Sequence, residues 1–241
     1  MSEKSLTPYL LTFGPVLLVG AFLMWPASDA VGSRGTQSLV DGADTLMPLL
    51  IAAFLGTTMI LGGLYLLISE MMENTGGIQK QLLGSASMLV IVSMVSFTFG
   101  LGSNVFIVNE YDRVLDATNE TTDDGPAYVD EADRADTLEN GFDTGATVWQ
   151  MSPVTWGLSL ILIGLVSYMM RKPEGAMDFV LPALMPVGTM FLSVPIINNP
   201  ALFQALFPLT LLAHIIVGGL MLAGMIEVPG SSQDVETTAD A

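Results

Sequence analysis

The chain contains no cysteine and a single histidine. Without thiols there is no disulfide framework, thiolate nucleophile, iron–sulfur cluster or cysteine-based zinc site. One histidine cannot supply a bis-histidine haem or a histidine-rich metal cage within one chain. Charge is scarce as well, at 13% of 241 residues, where a soluble domain carries about a quarter. Basic residues are scarcest: 7 Lys and Arg stand against 24 Asp and Glu, a net charge of −17. That balance argues against nucleic acid, an anionic lipid surface or any other polyanion as a partner. Gly76-Gly77 lacks the Gly-Lys-Ser/Thr ending of a phosphate loop, and neither a serine-nucleophile elbow nor a His-Glu-x-x-His zinc helix occurs. The aspartates of the central segment miss the calcium-loop spacing. The residues therefore read as a non-enzymatic chain with no metal site and no cofactor.

What is present is apolar length. Hydrophobic residues make up 51% of the chain and the mean hydropathy is +0.60. Six runs hold most of them: Pro8 to Trp25, Leu46 to Ser69, Leu82 to Val108, Trp149 to Met170, Phe179 to Ile197 and Ala201 to Ile226. Each approaches the roughly eighteen to twenty-five residues a helix needs to cross about 30 Å of hydrocarbon. Lipid offers backbone polar groups no partner, so helices are expected, and the alternation of a barrel strand is missing. The fold class that follows is an all-α polytopic membrane bundle of about six transmembrane helices. Its organisation divides into helices 1 to 3 (1–108), an acidic extracytoplasmic loop (109–148), helices 4 to 6 (149–228) and an acidic disordered tail (229–241). Trp25, Trp149 and Trp156 stand near run ends and read as interface anchors.

The first run has a rival reading as a secretory signal peptide, with small residues near Ser28 and Ala30 that would be cut, which leaves five helices. Orientation follows from the basic residues. A cytoplasmic N-terminus places Lys4, Lys80, Arg171 and Lys172 inside and Arg34, Arg113 and Arg134 outside, and the inside set lies closer to helix ends, where the rule is strongest. Both termini are then cytoplasmic in a multi-pass protein of the plasma membrane. The loop between helices three and four faces out, crowded with acids from Glu110 to Asp143, and carries the glycosylation candidate Asn119 in Asn119-Glu120-Thr121. An acidic surface of this kind resembles the proteins of salt-loving archaea.

Thr12-Phe13-Gly14 in the first run resembles Thr155-Trp156-Gly157 in the fourth. Gly42-Ala43 with Pro48 likewise parallels Gly175-Ala176 with Pro182. Two three-helix halves would then form a weak 3+3 inverted repeat, an arrangement common among transporters. Helices three and six show no comparable match. Small residues mark candidate helix-packing positions: Gly56 and Gly63, Gly84, and Gly219 with Ala223 at four-residue spacing.

Intramembrane charge would point to ion or proton paths, yet the six runs hold no Asp, Glu, Lys or Arg at mid-depth. Glu70, Glu73, Asp178 and Glu227 fall at run ends and read as interface residues. His214, midway along the sixth run, reads first as interhelical glue, and less readily as a haem or metal ligand or a substrate or quinone contact. The segment from Leu181 through Pro186 to Pro200 is proline-rich, and each proline removes a helical hydrogen bond. Helix five is expected to break near Pro186, with Asn198-Asn199-Pro200 as a tight turn. Pro186, Asn198, Asn199 and His214 are thus the candidate solute-binding residues.

Two functions remain in view. The leading one is an accessory or scaffolding subunit of a membrane assembly, held by the bilayer and by other membrane chains or self-association. The other is a small-solute carrier or channel built on the broken fifth helix and His214, with a haem- or quinone-contacting redox subunit as a weaker variant.

Overall fold

A computed structural model describes residues 5–25, 43–119, 140, 141, 143–145, 147–171, 175–197 and 200–229. Six α-helices account for most of them: α1 (Thr7–Leu23), α2 (Ala43–Glu73), α3 (Gly77–Asn119), α4 (Met151–Met170), α5 (Leu184–Ile197) and α6 (Pro200–Leu222). A 3-10 turn over Ala176–Phe179 precedes α5. Five spans are long and apolar enough to cross a membrane, and α1, at 17 residues, is shorter. The chain is a multi-pass membrane helix bundle.

Each helix packs on the next in sequence, and α6 returns to α1, so the six close into a ring. The two most extensive contacts are α1 with α2 and α4 with α5, and both depend on glycine. A methyl group added to Gly14 would stand 2.9 Å from the Gly56 carbonyl and 2.9 Å from the Ile60 amide, and one on Gly56 would meet the Gly14 carbonyl and the Leu18 amide at 2.9 Å. The second hairpin repeats the device: Gly157 faces the Gly188 carbonyl at 2.8 Å and the Leu192 amide at 2.9 Å. Backbones this close gain dispersion contacts that lipid tails cannot replace. Both hairpins, α1 with α2 and α4 with α5, thus close on a facing pair of glycines. The third helices arrive differently, α6 on α1 through Gly218 against Pro8 and Thr12, and α3 on α4 through Ser93, whose hydroxyl lies 2.9 Å from that of Ser152.

Helix α1 is an integral wall of this ring. Leu11 and Leu18 are fully buried, Gly63 admits Leu10 and Leu11, and the Ser5 and Thr7 hydroxyls both donate to Glu70 Oε1, at 2.5 and 2.7 Å. Those bonds pin the start of α1 to the end of α2 and define one face of the bundle, called proximal below. The other face, at the end of α1, is distal. The signal-peptide cut near Ser28 and Ala30 lies outside the described residues.

Several boundaries differ from the sequence reading. Helix α3 does not stop at Val108 but continues to Asn119, 43 residues in all, or about 65 Å at 1.5 Å per residue. Nothing between Asn109 and Asn119 breaks it: no glycine or proline occurs there, and Glu110, Arg113 and Asp116 recur at three-residue spacing with alternating sign. Helix α6 ends at Leu222 rather than near Ile226. Gly224, at φ 67°, turns the chain left-handed while Met225 N–H donates to Leu220 O and Gly224 N–H to Met221 O, a Schellman cap. Residues 120–139, which hold the bulk of the acidic loop, and the tail from 230 lie outside the described residues. So do Asn198 and Asn199, and of the Asn119 sequon only the backbone of its first residue, at the end of α3, is described.

Candidate functional site

Helix α5 carries Pro186 and Pro195, Pro182 stands just before it, and the break falls one turn earlier than expected. The 3-10 turn is capped by Asp178, whose Oδ2 accepts the Gly175 N–H at 2.7 Å. The chain then turns through Val180 to Ala183 before α5 begins at Leu184. Pro186 therefore sits in the first turn of α5, where its missing N–H costs no helical bond. The interruption belongs to Pro182, whose carbonyl is taken by Met185 N–H at 3.0 Å. Gly164 makes room for it: a methyl there would stand 2.5 Å from Met185 N and 3.0 Å from Pro182 O. Freed backbone is thus pressed onto protein rather than left to lipid. Pro186 itself is exposed.

His214 lies elsewhere, fully enclosed at 1% exposure. Trp156 Nε1 approaches its Nε2 at 3.4 Å, and its Nδ1 lies 2.7 Å from the Thr210 carbonyl. An indole N–H can only donate. Nε2 is therefore the acceptor, the proton sits on Nδ1, and that proton goes to Thr210 O. Both ring nitrogens are engaged, so His214 has no free nitrogen for a solute, haem or metal. Among the described residues no three His, Asp or Glu side chains gather as a metal site would require.

Around this pair the interior is filled with rings. Trp156 meets Phe191 edge-on at 5.5 Å and His214 at 5.5 Å, and Phe191 packs on Phe207 at 6.0 Å. Phe207 continues to Phe203 at 5.0 Å and to Phe22 at 5.3 Å. Phe203 in turn meets Trp149, which meets Phe97. This chain of rings joins α1, α3, α4, α5 and α6 through the distal half of the bundle; most of its contacts are edge-to-face, while Phe207 stacks on Phe203 and lies tilted on Phe191.

Trp156 overturns its reading as an interface anchor. At 1% exposure it is a core residue. The reason is that helical residues 143–145 and 147–149 precede α4, which moves Trp156 inward by two turns and leaves Trp149 as the outer ring. A buried indole needs an acceptor, and the one histidine supplies it. The signal was a deep Trp and a deep His on different helices, each requiring a partner.

The small-residue positions divide. Gly56 and Gly63 meet backbone or side-chain atoms of α1, whereas among the described residues no atom lies within 4 Å of a methyl added to Gly84 or Gly219, and Ala223 is exposed beyond the end of α6. The four-residue spacing of Gly219 and Ala223 therefore marks no contact among the described residues. Gly218, one position earlier, faces α1 instead. Missed altogether were Gly157, Gly164 and Gly188.

At the proximal end of α4 a further cluster forms. The Arg171 guanidinium carbon lies 4.1 Å from the Tyr168 ring centre and 4.3 Å from that of Phe179. Its Nη1 is buried and has no hydrogen-bond partner among the described residues. Comparison with protein-family models, with curated proteins and with solved structures gives no match, so this geometry alone carries the functional reading of a multi-pass membrane helix bundle.

Proposed function

We propose that the chain is a non-enzymatic accessory or scaffolding subunit of a membrane assembly. The observation that supports this reading most directly is the enclosure of His214. The polar group best placed to meet a solute inside the bundle is bonded at both nitrogens and surrounded by Phe191, Phe207 and Trp156. A carrier path through the same place would need water to reach it. The outside of the ring offers the opposite: α3 turns Ile91, Val92, Val95 and Phe99 outward, and α1 turns out Tyr9, Phe13 and Val16. Apolar helix faces of this length suit lipid and neighbouring transmembrane chains, including further copies of this one.

The setting we propose is the plasma membrane, with the proximal face and both termini cytoplasmic. Lys80 near the start of α3 and Arg171 at the C-cap of α4, with Lys172 next in sequence, support that orientation. The acidic balance of the whole chain supports a halophilic archaeal source.

The test is purification in mild detergent with mass spectrometry of co-purifying chains. A scaffolding subunit brings down the same membrane partner, or a defined multiple of itself, in repeated preparations. A monomer with no reproducible partner overturns the reading.

A further inference from the structure

We draw no further inference here: the strongest candidate, the outward face of α3 from Met88 through Val95 to Gly102, is an apolar helix face without a partner among the described residues, and nothing in the structure shows what covers it.

Discussion

His214 and Trp156 hold each other's polar atoms inside a ring of hydrocarbon, and the cost of separating them is asymmetric. His214→Leu leaves the indole N–H buried with no acceptor, a loss expected at about 1–3 kcal/mol. Trp156→Phe alone removes the donor and leaves Nε2 bare. The double variant removes both needs, so its destabilisation falls short of the sum of the two, as thermal unfolding in detergent would measure. Additive losses would mean that the 3.4 Å contact contributes nothing. Thr57 makes the converse case. It is buried at 2% exposure and its Oγ1 meets no partner among the described residues. Thr57→Val, nearly the same shape without the hydroxyl, is expected to raise stability by about 1 kcal/mol. At this scale the sequence spoke only in part. A lone histidine in an apolar run announces that it needs a partner, but the run does not say which helix provides it. Trp156 was misread because the helical residues before Met151 belong to a stretch whose polar composition suggests a loop.

Between helices, the deciding residues are the glycines with a backbone against them. Gly14→Leu or Gly188→Leu drives a side chain into a carbonyl and an amide four residues apart, so each is expected to lower stability by about 1–3 kcal/mol or more. Gly84→Ala and Gly219→Ala meet open space and should be neutral or stabilising by up to about 1 kcal/mol through helix propensity. Unfolding midpoints of the four variants should fall into two separate groups, and overlap between them would refute the packing assignment. The proline positions divide in the same way. Pro186→Ala, in a first turn, should change stability little, whereas Pro182 shapes the break that rests on Gly164. Periodicity and run length revealed all six helices, because apolar length is what a bilayer demands. They did not reveal which small residue is a contact, because any glycine looks alike until the neighbouring backbone is in place.

For the whole molecule, the absence of cysteine becomes an advantage. A single cysteine placed at Gly76, exposed in the turn between α2 and α3, or at Met177, in the 3-10 turn, is the only thiol in the chain. Both positions lie on the proximal face and should react with an impermeant reagent from the same side of a sealed vesicle, while a cysteine at Asn140 reacts only from the other. Cysteines at positions 76 and 177 labelled from opposite sides would break the six-crossing topology. The closure of the ring has one more consequence, and it concerns synthesis. Of the six helices, α1 leaves the ribosome first, yet one of its two neighbours, α6, is the last of the six to follow. Until Gly218 arrives against Pro8 and Thr12, the first helix waits in the lipid with one flank uncovered, so the nascent chain cannot complete its fold one helix at a time. A chain cut short anywhere before α6 is therefore left with an open seam beside α1, where a second truncated chain or a membrane quality-control protease would find its first foothold.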